Sequence, residues 1–173
     1  VGYSQKTTLA TYDAGGIERL YIHLDEVFKI KVKTSSTKKI IVTSTAHGEY
    51  YNDIDLEVEV LQESLVLTSK FRQILQSGFD KFSAHKVFSM EISLEIPEGL
   101  EVFIDSNIAS VEANGNFQNF QAQLRSGICQ LVNFSGNALV NTYSGCIEVE
   151  TTNATLTAST RKGRLQVPLN THG

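Results

Sequence analysis

The chain reads as an all-β protein whose C-terminal half is a parallel β-helix, or β-solenoid, of coils about 18 residues long. Two observations predict this. Apolar and polar residues alternate with a period of two along most of the chain, and a repeat of 18-residue spacing runs through the last third or more. The 173 residues are enough for one domain with a substantial core. With 41% hydrophobic residues, wholesale disorder is excluded.

The alternation is clearest in four segments. Leu20, Ile22 and Leu24 form one, and Phe28, Ile30 and Val32 another. Ile54, Leu56, Val58 and Val60 face one way while Asp55, Glu57 and Glu59 face the other. Phe88, Met90, Ile92, Leu94 and Ile96 oppose Ser89, Glu91, Ser93 and Glu95. A period of two marks strands with one buried face, and the β-branched run Ile40-Ile41-Val42-Thr43 supports strand as well. Between residues 70 and 85, Phe71, Ile74, Leu75, Phe79 and Phe82 recur at helical spacings, interrupted by Gly78. That stretch is expected to be a long loop with a short helical turn.

Pro97-Glu98-Gly99 signals a turn, after which charge falls and a repeat begins. Asn107, Gly127, Gly145 and Gly163 align at 18-residue spacing, with the first gap longer by two. Two residues beyond these anchors stand Ala109, Cys129, Ile147 and Leu165; four beyond stand Val111, Leu131, Val149 and Val167. Five before stand Val102, Ala122, Val140 and Ala158; seven before stand Leu100, Phe120, Ala138 and Leu156. All four columns are apolar, and those between are mostly polar. Each repeat therefore supplies a strand, a corner at Gly or Asn, residues that tolerate positive φ, and a second strand. Coils stack at about 4.8 Å to bury their inward side chains. A β-sandwich is the alternative, since short strands at regular spacing also suit one. The chain is taken as a single domain, 1–173, with a tail over 1–16, irregular β coils or a small sheet over 17–97, and regular coils over 98–173.

The run Ile-Ser-Leu-Glu-Ile-Pro-Glu-Gly at 92–99, followed by Ser-Gly steps at Ser126-Gly127 and Ser144-Gly145, resembles the bacterial putative-adhesin family. These are β-helical domains related to the heads of autotransporter-type adhesins. The resemblance covers residues 17–169. It implies a right-handed β-solenoid, an exported envelope-associated protein, and no catalytic residues. The chain departs from the family pattern at Asn107, where Gly is usual, and at Lys162, where Ser is.

The net charge of −4, from 15 basic and 19 acidic residues, argues against nucleic acid as a partner. The one basic cluster, Lys29, Lys31, Lys33, Lys38 and Lys39, reads as the wet face of a strand. No apolar run is long enough to be a transmembrane segment. The opening Val1-Gly2-Tyr3, without Met, points to a removed export signal or a trimmed chain, and export is favoured.

The chain is read as non-enzymatic, with no catalytic residue, metal site or cofactor. Solenoid hydrolases and lyases need clustered carboxylates on one face. Here Glu101, Asp105, Glu112, Glu148 and Glu150 are scattered. His23, His47, His85 and His172 share no metal-ligand spacing. Cys129 falls in an apolar column and Cys146 in an outward one, so a disulfide between them is not expected. The sequons at Asn133 and Asn153 are taken as chance matches.

One outward column stands out: Asp105, Arg125, Tyr143 and Arg161. Stacking would bring Arg125, Tyr143 and Arg161 into a file able to stack on sugars or accept acidic groups. The expected function is an adhesin-like binding or structural module of the envelope, with a surface glycan or envelope protein as partner. The alternatives are a carbohydrate-active enzyme and the sensory module of an envelope-stress system. The last coil, through Leu165, Val167 and Leu169, has an edge that calls for a polar cap or a second copy, a homodimer.

Overall fold

A computed structural model describes residues 5–25, 27–47, 54–71, 89–150 and 153–166. Eleven strands lie among them and no helix. They are β1 (Gln5–Asp13), β2 (Arg19–His23), β3 (Lys29–Ser35), β4 (Lys39–His47), β5 (Ile54–Leu61) and β6 (Ser64–Phe71). Then come β7 (Ser89–Pro97), β8 (Glu101–Ser106), β9 (Ser110–Glu150), β10 (Asn153–Thr160) and β11 (Arg164–Gln166). All belong to one curled sheet, ordered β1-β4-β7-β3-β9-β8-β2-β6-β5, with β10 and β11 added to β9.

Seven of the ten strand pairings are parallel, whereas a sandwich would pair its strands antiparallel. The antiparallel pairs, β1–β4, β4–β7 and β5–β6, lie towards the two ends of the strand order. β9 explains the curl. Laid straight, its 41 residues would reach about 135 Å. It pairs instead with β3 at 110–114, β8 at 119–124, β10 at 135–142 and β11 at 146–148. The chain must therefore turn corners without leaving the ladder.

Three of the parallel registers, those of β9 with β8, β10 and β11, repeat at one offset. Glu101 lies beside Asn119, Ser135 beside Asn153, and Cys146 beside Arg164, so each pairing spans the same 18-residue step. The corner glycines follow that step too. A Cβ added to Gly127 would overlap the carbonyl oxygen of Ala109, one on Gly145 that of Gly127, and one on Gly163 that of Gly145. Positive φ explains only the first of these, at 124° for Gly127. The close approach of successive backbones explains all three.

This corrects the alignment of the first coil. Ala109, not Asn107, lies against Gly127, so the first step is the same length as the later ones. Val102 accordingly pairs with Phe120 and Ile104 with Ala122. The apolar columns survive because an error of two positions preserves which face a side chain points to. Val111, Leu131 and Val149 are all buried; Val167 lies outside the described residues.

The core is continuous from Ile17 to Ala154. Leu20, Ile22, Leu65, Leu67, Val102 and Ile104 line one wall, and Ile30, Val32, Ile92 and Leu94 another. A corner is plugged by three phenylalanines. Phe117 stacks on Phe134 at 5.2 Å, and Phe120 meets both edge-on.

Three further expectations change. Residues 5–13, set apart as a tail, form β1 against β4. Phe28 is exposed, because the chain turns there and Val27 takes the inward place. Of the helical pattern over 70–85, Phe71 ends β6 and 72–88 lie outside the described residues. The lysines of β3 behave as read: Lys31 and Lys33 are exposed, between buried Ile30, Val32 and Thr34. Lys29 sits opposite Glu91, Lys33 opposite Glu95, and Lys31 opposite Glu112. These acids offset the lysines of β3.

Crowding at the corner predicts an outcome for two glycines. Gly127→Ala should cost at least about 3 kcal/mol, because backbone must move to admit the methyl group. Gly16 also has positive φ, but nothing lies within 4 Å of an added Cβ, so Gly16→Ala should cost only about 1 kcal/mol. Urea unfolding of both variants reads the difference, and equal losses would remove the close-approach account.

Candidate functional site

The outward face of β2, β8, β10 and the intervening part of β9 carries the densest group of exposed functional side chains. The inward residues Leu20, Ile22, Val102, Ile104, Phe120 and Ala122 are buried. Their neighbours along each strand must point to solvent. Parallel register then stacks equivalent residues side by side.

Three columns result. In the first, Arg19 pairs with Glu101 at 3.8 Å, and Asn119 follows in register. In the second, Tyr21 lies flat on Phe103, with ring centroids 5.0 Å apart and planes 14° from parallel. Gln121 is next to Phe103. In the third, His23 stands between two carboxylates, Nδ1 at 3.3 Å from Asp105 and Nε2 at 3.5 Å from Asp25. Gln123 follows Asp105. Farther on, the Ser159 hydroxyl donates to the Asn141 side-chain oxygen.

Two shallow depressions run along the middle column. One, of about 300 Å³, is bounded by Tyr21, His23, Phe103, Asp105, Gln121 and Gln123. The other, of about 440 Å³, includes Phe103, Asn119, Gln121, Asn137, Leu139 and Thr157. Phe103 and Gln121 border both, so the two form one trough across the strands.

The residues expected as a file, Arg125, Tyr143 and Arg161, each follow by two positions Gln123, Asn141 and Ser159, towards the corner. All three side chains are exposed. Backbone bonds from Arg161 N to Thr142 O and from Lys162 N to Tyr143 O carry the ladder around that corner. The cation over the Tyr143 ring is Lys162, with Nζ 5.8 Å from the centroid. Asp105 does not belong to this file, since its register neighbours are His23 and Gln123.

A third depression, of about 510 Å³, adjoins Glu148, Glu150, Gln130 and Leu165. Glu148 there accepts a hydrogen bond from the Gln130 side-chain nitrogen at 2.8 Å, and the Cys146 thiol lies 3.9 Å from its other oxygen. This carboxylate is engaged in bracing two neighbouring coils. Among the described residues, no three His, Cys, Asp or Glu side chains converge as a metal site would require, and no helix is long and apolar enough to cross a membrane. His85 and His172 lie outside them.

Among solved structures, the chain is similar to a putative cell adhesion protein from Clostridium sporogenes. The two share 10% sequence identity at a TM-score of 0.60, with 94% of this chain and 98% of that one covered. Two proteins from Parabacteroides distasonis align with lower scores. One is a putative adhesin, at 10% identity, TM-score 0.31 and coverage of 94% and 97%. The other is a putative lipid binding protein, at 11% identity, TM-score 0.32 and coverage of 95% and 97%. No protein-family profile and no curated protein matches the chain. The Clostridium likeness shows a common fold, and its name agrees with the family that the sequence resembles.

Sequence reasoning missed the trough. Tyr21 and Phe103 are far apart in the chain, and Tyr21 precedes the recognisable repeat. The available signal was the match of alternation between Arg-Leu-Tyr-Ile-His at 19–23 and Glu-Val-Phe-Ile-Asp at 101–105. Laid over each other, these give opposite charges at both ends and an aromatic pair between.

Both cysteines are free; Cys129 is buried and Cys146 half-buried. Burial pushes the Cys129 thiol up from 9.0 to about 12. The unfolded chain therefore loses this proton first as pH rises. The associated stability is intact below pH 9.0 and drains away towards about 12. Between those values the slope is about 1.4 kcal/mol per pH unit. Urea unfolding at about pH 9 and pH 10.5 should show the stability difference between wild type and Cys129→Ala shrinking by about 2 kcal/mol. A constant difference would remove the buried-thiol account.

Proposed function

We propose that the chain is a non-catalytic, exported module of the bacterial envelope or cell surface. It is built as a right-handed β-solenoid and binds its ligand on the outer face of the stack. The observation that carries this reading is the trough through Phe103 and Gln121, open to solvent and formed by strands whose inner side chains are buried. A rigid face of this kind pays little ordering entropy on binding. The engagement of Glu148 by Gln130 speaks against a role for that acid in hydrolysis. Export and surface location are supported by the resemblance to putative adhesins and by the fold shared with the Clostridium protein.

Arg125, Tyr143 and Arg161, with Lys162, form a second contact region at the corner, suited by its charge to acidic groups. β10 and β11 each pair on one side only among the described residues. That open edge is where a second copy would add, as a homodimer.

The solenoid reading predicts the effect of removing a repeat. Deleting residues 128–145 joins Gly127 to Cys146 and removes one 18-residue step, so the remaining coils stay in register. This variant should unfold cooperatively in urea, while deletion of residues 128–136 should not, because half a coil breaks the stack. Cooperative unfolding of both, or of neither, would defeat the solenoid. Light scattering on the wild type in the same series is expected to give a dimer mass, and a monomer would discard the edge pairing.

Binding is tested by co-sedimentation of the purified protein with bacterial envelope fragments and by a glycan array. Wild type should be retained, and Phe103→Ala should bind at least about tenfold more weakly. Arg125→Ala and Tyr143→Ala should lose acidic ligands alone. If Phe103→Ala binds like wild type, the trough is not the binding face.

A further inference from the structure

We infer that the trough takes an extended, uncharged polysaccharide, laid across the strands with one sugar unit over each. The inference rests on the binding face proposed above and names its ligand class. Side chains on the middle column are neutral: Tyr21, Phe103, Gln121, Leu139 and Thr157. Aromatic rings offer a flat apolar surface for the C–H face of a pyranose. Amides and hydroxyls supply paired donors and acceptors that match sugar hydroxyls. Gln121, Asn119 and Asn137 at the rim present such groups, and Thr157 at the far end adds a hydroxyl.

Charges are confined to one end of the trough, where three carboxylates stand against one permanent cation, Arg19. Arg19 meets Glu101, and His23 meets Asp25 and Asp105. No unmatched cation from these pairs points along the trough, while two carboxylates flank His23. A polyanion would meet that pair of carboxylates on entry, whereas a neutral chain meets no such barrier. The corner with Arg125, Arg161 and Lys162 has the opposite character, and so marks by contrast what an acidic ligand would require.

Spacing favours the same occupant. The trough spans five strands, from β2 through β8 and two passes of β9 to β10. At 4.7–4.9 Å per strand it is about 19 Å long. That repeat is close to the advance per unit in an extended β-linked glycan, so successive sugars meet successive strands in similar surroundings. A peptide strand would instead seek open backbone groups, and those lie at the edges of the sheet rather than on this face.

Affinity electrophoresis in gels containing mixed-linkage β-glucan, galactomannan or arabinoxylan, with polygalacturonate as the acidic counterpart, provides the test. At least one neutral polymer should retard the wild type, and polygalacturonate should not. Phe103→Ala and Gln121→Ala should each weaken retardation at least about tenfold, with Lys38→Ala, at an exposed position in neither contact region, as an unaffected control. Should Phe103→Ala fail to fold by circular dichroism, Tyr21→Ala takes its place. For a retained polymer, calorimetry with its oligosaccharides should show affinity rising to about five units and then levelling. Retardation by polygalacturonate alone, by no polymer, or equally in the trough variants would overturn the inference. The broader reading has its own arm. Envelope binding that depends on Phe103 while all neutral polymers fail would keep the binding face and discard the ligand class. Envelope binding indifferent to Phe103 would discard both.

Discussion

Successive turns of backbone pass so close at the Ala109–Gly127–Gly145–Gly163 corner that no side chain fits between them. That contact sets the phase of the regular coils. Once one corner is seated on the next, the residues on either side are carried into register at 18-residue steps, and the parallel hydrogen bonds follow. A residue inserted between two corners would flip one strand's apolar set to water. The corner therefore fixes the composition of both faces, although it touches neither.

From this comes the division of labour across each strand. Inward positions need only be apolar and of suitable volume. Cys129 occupies one as a small hydrophobe, its thiol kept protonated by burial. Outward positions are under no packing constraint of this kind, yet several on the β2–β8–β9 face are matched to their neighbours. The stacking of Tyr21 on Phe103 contributes about 0.5–1.5 kcal/mol beyond its buried area. The half-exposed Arg19–Glu101 pair contributes less, about 0.2–1 kcal/mol. Stability alone gives little reason for such matching, and the shaping of a defined surface gives more.

The parts of this fold that are local in the chain were legible in the sequence. Alternation over 20–24, 28–32, 54–60 and 88–96 placed strands, and the 18-residue spacing of Gly127, Gly145 and Gly163 matches the offset of the parallel pairings of β9. What was not legible is pairing between distant segments. The likeness of residues 19–23 to 101–105 does not by itself put them side by side, because register between such distant segments depends on the whole path that joins them. The same holds for β7, held between antiparallel β4 and parallel β3, and for β1, whose polar strand lacks a strong apolar face. The Asn107 alignment failed for a subtler reason. Asn was equated with Gly on the ground of positive φ, whereas the position demanded room, and Ala109 sits where the first backbone is still at the end of the glycine stack. At the corner the file of Arg125, Tyr143 and Arg161 was read by column alone. There Lys162, one residue along from Arg161, lies over the Tyr143 ring.

The two contact regions differ in how their cations are held, and this bears on what each recognises. Around the trough Arg19 pairs with Glu101, and His23 is flanked by Asp25 and Asp105. At the corner Arg125 and Arg161 project from a surface where Tyr143 supplies an aromatic ring rather than a carboxylate. An ion pair costs a ligand twice, once in desolvation and once in breaking the pair, so the trough presents amides and rings as its readily available groups. The corner presents charge. One sheet makes both arrangements, because parallel register sets equivalent outward residues side by side across several strands. On the proposed reading selectivity resides in columns rather than in single residues, and the close approach of backbones at the glycine corner is what keeps the columns of the regular coils in phase.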